Sequence, residues 1–175
     1  MEITLRKFEE KDMIKFTEWY TKNTEWQKWD APWEWVDYVF SPTEVAKKKK
    51  FKTSHIPCFE YEIISDNMHV GWIEAYYMTS DYKWNDLEKT DKIAIGIVLP
   101  NPWVRHKGIG KTAYMKYIQY FRDLGVKKLY TQTWSGNLPM IHLAQSCGFQ
   151  EVNRFSDIRV VDGKTYDALT FCLDL

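Results

Sequence analysis

The chain has 175 residues, 45% of them hydrophobic and 17% aromatic, enough to bury roughly two thirds of its unfolded surface in one core. Its 24 basic residues balance 24 acidic ones, so no global field draws it to nucleic acid or to an anionic membrane. Three cysteines, Cys58, Cys147 and Cys172, are odd in number and widely spaced, which argues against a disulfide framework and a cysteine zinc site and for a cytoplasmic location. The first residues are charged and lack an apolar core, and no apolar run approaches the roughly 18 residues that span a bilayer, so neither export nor membrane insertion is expected.

Ile3 and Leu5 alternate with Thr4 and Arg6 in the period-2 pattern of a half-buried strand, with Phe8 as an optional further member. Glu9 to Lys22 follow with Met13, Phe16, Trp19 and Tyr20 at helical spacing. Trp19 to Tyr38 then concentrates Trp19, Trp26, Trp29, Trp33 and Trp35 among Glu25, Asp30, Glu34 and Asp37. Those rings read either as core or as the wall of a pocket whose carboxylates hold an ammonium group. Thr43 begins a helix ending in Lys47 to Lys50, a run expected to be a solvated face.

Phe59, Tyr61 and Ile63 alternate with Glu60 and Glu62, Ser65-Asp66-Asn67 supplies a turn, and Val70 to Met78 forms the second arm of a hairpin. Strict alternation places Val70, Trp72, Glu74, Tyr76 and Met78 on one face, which makes Glu74 a carboxylate among aromatic neighbours and a candidate base. Asp81 to Asp91 reads as loop, Ile93 to Leu99 as strand, Gly108 to Leu124 as a helix with Ile109, Ala113, Tyr117, Tyr120 and Leu124 along one stripe, and Val126 to Trp134 as strand. Asn137 is a plausible N-cap for a short helix over Leu138 to Cys147, and strands over Phe149 to Val160 and Thr165 to Leu173 flank the turn Asp162-Gly163. The order is β, two helical segments, βββ, α, β, α, ββ, an α+β pattern with no linker or repeat.

Arg105-His106-Lys107-Gly108-Ile109-Gly110 stands between a strand and a helix N-terminus, where free N–H groups, the helix dipole, two glycines and basic side chains make a site for an anion. A phosphate-loop reading of Gly110-Lys111-Thr112 fails because Arg105 occupies the position that needs glycine. A dinucleotide reading of Gly108 to Ala113 fails because eight residues separate it from Leu99 and no acidic residue stands near Thr131 to Trp134.

The third reading, Arg105-x-x-Gly108-x-Gly110, resembles the pyrophosphate-binding motif of the GNAT superfamily of acetyl-CoA-dependent N-acetyltransferases. Asn137 and Gly148-Phe149 stand where that family opens and closes its next helical segment, and the element order is similar over nearly the whole chain. The likeness is greatest to the bacterial branch that includes ribosomal-protein and small-amine acetyltransferases. It implies a single domain over 1–175, with a central, mostly antiparallel mixed sheet of about six or seven strands and helices on both faces.

The resemblance also implies acetyl-CoA as cosubstrate. The backbone of His106, Lys107, Gly108, Ile109, Gly110 and Lys111 would receive its pyrophosphate, with Arg105, Lys107 or Lys111 adding charge-assisted contacts. Ile97, Val98 and Leu99 would pair with the pantetheine arm, and Asn137 would hold it from the other side. The implied partner is an amine of a small molecule or peptide, with no nucleic acid and no membrane; a homodimer is left open. Many members carry a glutamate and a tyrosine as base and acid, and here Ala94 and Ala144 stand in those places. The base is then Glu74, Asp30 or water. Among His55, His69, His106 and His142 no spacing suits a metal, so none is expected. The competing reading is a non-catalytic CoA-binding module.

Overall fold

In the computed structural model β1 (Ile3–Arg6) leads into a 3-10 turn (Glu10–Asp12) and α1 (Met13–Thr21), so the expected helix from Glu9 starts with a tighter turn. The structure describes residues 1–35, 40–54, 59–85 and 89–175, without the side chains of Trp35 and of residues 51–54; Asp37, Tyr38, His55 and Cys58 lie outside the described residues. A second 3-10 segment (Thr24–Lys28), a one-turn α2 (Pro32–Trp35) and α3 (Pro42–Ser54) follow. Then come β2 (Tyr61–Ser65), β3 (Met68–Met78), β4 (Trp84–Asn85) and β5 (Lys92–Val98). The chain ends with α4 (Ile109–Asp123), β6 (Lys128–Trp134), α5 (Leu138–Ser146), β7 (Gln150–Val161) and β8 (Lys164–Asp174).

One sheet runs β1-β2-β3-β5-β6-β8-β7, with β4 paired beside β3. Every pairing is antiparallel except β5 with β6. The mixed α+β sheet therefore stands as expected. β4 is a correction to the loop expected over Asp81 to Asp91: its two residues pair with Tyr77 and Met78, too short a match to leave a period in the sequence.

Helices cover both faces because the central strands carry apolar side chains on both sides. Ile63, Ile73, Ile95, Leu129 and Phe171 form one core with Ala113, Tyr114, Tyr117 and Phe121 of α4 and Ala144 of α5. On the opposite face Phe16, Trp19 and Tyr20 of α1 pack with Trp26, Val45 and Trp72. Two expectations shift. Leu124 is 57% exposed, because α4 turns its buried stripe through Tyr114, Ile118 and Phe121. Val70 joins the α4-side core, away from Trp72, because the pairing jumps from Ile63↔Gly71 to Ile64↔His69 and the extra residue reverses the faces.

Lys49 corrects the solvated reading of the lysine run. It is 1% exposed and reaches from α3 to Glu60 and to Glu62 Oε1 (2.7 Å). Glu62 Oε2 accepts from His69 Nε2 (2.8 Å), and His69 Nδ1 lies 3.5 Å from Asp12 Oδ1. Asp12 in turn accepts from both ends of the Arg6 guanidinium (2.6 and 2.7 Å). The polar alternation of Glu60 and Glu62 thus faces a buried charge chain rather than water, as a buried charge must if it is to be tolerated. Burial pushes the Asp12 carboxyl up, but the Arg6 hydrogen bonds, the Glu9 backbone N–H and the His69 and Arg6 charges outweigh it and leave it below its ordinary value.

Lys49→Met leaves two buried carboxylates without their shared cation, and the expected loss is about 3–5 kcal/mol in chemical denaturation. Because Asp12 titrates lower when folded, its contribution is full above the ordinary value near 3.8 and is lost as pH falls through the lower folded value. Asp12→Asn should therefore flatten the acid limb of a Tm against pH profile.

Candidate active site

β5 and β6 pair at only two positions, Ile93↔Leu129 and Ala94↔Tyr130, and then part, although β5 continues to Val98 and β6 to Trp134. Thr131 Oγ1 and Tyr114 Oη both donate to Ile95 O (2.8 and 3.3 Å), so the Ile95 carbonyl points toward β6. By alternation Ile97 turns its N–H and C=O into the same gap. Val98 faces the other way: its carbonyl lies 2.1 Å from where a Cβ on Gly71 of β3 would stand, so residue 71 must be glycine for β3 and β5 to pair this closely. The Leu99 carbonyl accepts from Arg105 Nε (3.0 Å).

The glycine loop lies at the far end of that gap. His106 and Gly108 both hold left-handed backbone, φ 58° and 80°, and Gly108 is the N-cap of α4. The first helical bond runs from Thr112 N–H to Gly108 O (3.0 Å), so the N–H groups of Ile109, Gly110 and Lys111 precede the helix's own hydrogen bonding. A Cβ on Gly108 or Gly110 would meet nothing nearer than 3.4 Å, which leaves the approach to those donors open. Lys107 and Lys111 are exposed beside them. Arg105 folds back as a brace, its Nη2 donating to Pro100 O (3.1 Å) and standing 2.7 Å from Glu25. This donor set fits a diphosphate.

Glu74 of β3 stands opposite Gly96 of β5, on the α1 face. A Cβ on Gly96 would meet nothing within 4 Å, so there is open space over Gly96 on the face it shares with Glu74, near the point where β5 leaves β6. Tyr76, opposite Ala94, donates its hydroxyl to Gln132 Oε1 on β6 (3.1 Å), reaching over β5. Gln132 Nε2 donates to Tyr82 O (2.7 Å) and Thr170 Oγ1 (3.1 Å). Burial first, then the charges of Glu74 and Asp30, push the Tyr20 and Tyr76 hydroxyls well above the ordinary tyrosine value, so both stay neutral donors. Glu74, Asp30, Tyr20 and Tyr76 therefore share one electrostatic neighbourhood. Ala94 and Ala144 are both fully buried, and His142 is exposed on α5.

A cleft of about 1190 Å³ opens on this face at the ends of β5 and β6, lined by the 22–29 segment, Pro100 to Trp103, Trp134 and the β7–β8 turn. The segment is tied on both sides of the gap. Glu25 holds Arg105 on the β5 side, and the Trp29 carbonyl accepts from Trp134 Nε1 (3.1 Å) and Asn137 Nδ2 (2.6 Å) on the β6 side. Burial raises the Glu25 carboxyl, but its hydrogen bonds to Arg105 and Trp29 bring it below its ordinary value. Asn137 caps α5 through Oδ1, which accepts from Met140 N–H (3.1 Å), as the sequence suggests. The tryptophans divide between the two readings: Trp19 and Trp26 are core, while Trp29 lines the cleft. Gln27, Gln132 and Tyr76 carry no sequence signal of a site, because their importance comes from strand register and from a 3-10 turn.

The family model "Acetyltransferase (GNAT) domain" matches residues 2–150. No curated protein matches the chain. Among solved structures, a ribosomal L7/L12 alpha-N-protein acetyltransferase in complex with coenzyme A is 17% identical, with a TM-score of 0.80 over 99% of this chain and 94% of that one. A ribosomal-protein-alanine N-acetyltransferase from Brucella melitensis is 17% identical, with a TM-score of 0.72 over 100% of both chains. A spermidine N-acetyltransferase from Vibrio cholerae in complex with CoA and spermine is 16% identical, with a TM-score of 0.72 over 98% of this chain and 95% of that one. Identities this low establish a common fold, and the domain match supplies the rest: the chain belongs to the GNAT acetyltransferase family.

Proposed function

We propose that this protein, acting as one domain over 1–175, is an acetyl-CoA-dependent N-acetyltransferase for a primary amine of a small molecule or peptide. The observation that carries the reading is the gap between β5 and β6, with free helix N–H groups at one end and, at the other, Glu74 on the face of the open space over Gly96. Relatives in the fold are complexed with coenzyme A or act on peptide and polyamine amines, which agrees with this assignment.

Acetyl-CoA would supply an activated thioester. The N–H groups around His106 to Lys111 receive the pyrophosphate, with Lys107 and Lys111 as the exposed cations beside them. Arg105 acts from behind by fixing Leu99, Pro100 and Glu25. Ile97 offers backbone N–H and C=O to the pantetheine arm, flanked by Val98 and Leu99, and Asn137 borders the arm on the α5 side.

A lysine-like amine is neutral in only about one part in 2,500 at pH 7, equivalent to about 4.6 kcal/mol. Glu74 takes that proton in our reading. The amine nitrogen then bonds to the acetyl carbon, the carbon–sulfur bond breaks, and sulfur leaves as thiolate, which takes up the second proton that the nitrogen sheds as the amide forms. The neutral Tyr76 hydroxyl stands on the same face as a hydrogen-bond donor. A second reading, a CoA-binding module without catalysis, draws on the burial of Ala94 and Ala144 where a base and an acid would stand.

Thiol release from acetyl-CoA with a panel of amino acids, peptides, polyamines and aminoglycosides separates the two, since CoA binding without turnover supports only the module. Glu74→Gln should lower kcat by about 10²- to 10⁴-fold with CoA affinity unchanged. Lys111→Ala should weaken CoA binding by about tenfold in calorimetry, more at low salt than at high.

A further inference from the structure

Among the described polar residues that line the cleft, Gln27 combines deep burial with an unmet donor. It lies in the 3-10 segment Thr24–Lys28, is only 6% exposed, lines the cleft, and its Nε2 has no hydrogen-bond partner. A buried amide N–H left without a partner costs about as much as a lost hydrogen bond, and such a group in a binding cleft is a donor waiting for a ligand oxygen. The flanking ties of Glu25 to Arg105 and of Trp29 to Trp134 and Asn137 hold it in place.

Charge is graded along the same face. The carboxylates of Glu74 and Asp30 act on the buried Tyr20 and Tyr76. Exposed Lys22 and Lys28 stand in the lining of the cleft with Gln27, where Asp162 is the opposing charge and Glu25 is already held by Arg105. A group that is positive at one end and oxygen-bearing at the other suits this order, with its nitrogen toward Glu74 and its oxygen toward Gln27 and the lysines. A polyamine has only donors and offers Gln27 nothing to accept with.

We infer that Gln27 is a specificity-determining residue that donates to an acceptor oxygen, so that the acceptor is an amine bearing a nearby carbonyl or carboxylate: an amino acid or a peptide N-terminus. The inference rests on the N-acetyltransferase reading and narrows its substrate.

The test measures kcat/KM by thiol release for the full chain with alaninamide, alanine, alanyl-alanine, isopropylamine and spermidine. Alanine against alanyl-alanine tells a free amino acid from a peptide terminus. Gln27→Met keeps the side-chain length and removes the amide; Gln27→Glu keeps the shape and removes the donor, so the result does not hang on one variant folding. The expected result is that the oxygen-bearing acceptors are preferred, and that both variants lose about tenfold or more on them through KM while isopropylamine changes less than about twofold. An equal fall on all acceptors, no fall on any, or a preference for spermidine overturns the assignment of Gln27. CoA binding without acetylation of any amine overturns the transferase reading itself, and this inference with it.

Discussion

β5 and β6 share only two register pairs before they separate, and the arrangement of the site follows from that separation. A parallel pair that stayed together would bury its backbone donors and acceptors in a ladder. Parting leaves Ile97 with polar backbone groups that the sheet does not use, in the middle of a protein whose other strands are paired. The neighbours are arranged to keep the gap from closing. Thr131 and Tyr114 satisfy the Ile95 carbonyl where the ladder ends, and the 24–29 segment reaches across the mouth from Arg105 to Asn137. The glycine loop stands at the end of this gap, which is what joins the two into one candidate site.

The two faces of the sheet are stabilised differently, and the difference suits their tasks. The α4 side is a continuous apolar core of strand aliphatics and helix tyrosines, which fixes the helix whose N-terminus forms the candidate anion site. The α1 side mixes tryptophans with the charge chain from Arg6 through Asp12, His69 and Glu62 to Lys49. Such a chain is orientation-dependent where apolar packing is forgiving, so it sets how α1 and α3 sit on β2 and β3. Since the 24–29 segment continues from α1, the placement of Gln27 and Trp29 depends on this polar seam.

Much of the fold was legible because it is written in periodicity. The strand before Pro100, the stripe of α4 and the Asp162-Gly163 turn are local signals, and so is the Asn137 cap. The candidate anion site is proposed from a motif of consecutive residues, which the fold sets at a helix N-terminus. What escaped depends on register or on distant partners. Val70 changed faces through one extra residue in β3, and Lys49 was hidden within a run of lysines whose other members are exposed or only half-buried. Arg105 reads in sequence as an anion ligand, yet its fork is engaged by the Leu99 and Pro100 carbonyls and by Glu25, eighty residues away. Ala94 looked like a missing glutamate. In the fold it leaves the room that Tyr76 needs to reach Gln132 across β5, so the two positions are understandable only together.

The Trp29 carbonyl accepts two hydrogen bonds, from Trp134 and from Asn137, which fills both of its lone pairs. One oxygen atom therefore belongs to both halves of the candidate site, since Trp29 walls the cleft and Asn137 opens α5 on the opposite face. Any ligand that draws the Asn137 amide toward itself takes a bond from Trp29, and any ligand that shifts Trp29 loosens the Asn137 amide. Such linkage is reciprocal by thermodynamic necessity, whatever its size. A ligand that displaced either group would thus be felt on the other face through a single peptide group, without a moving domain.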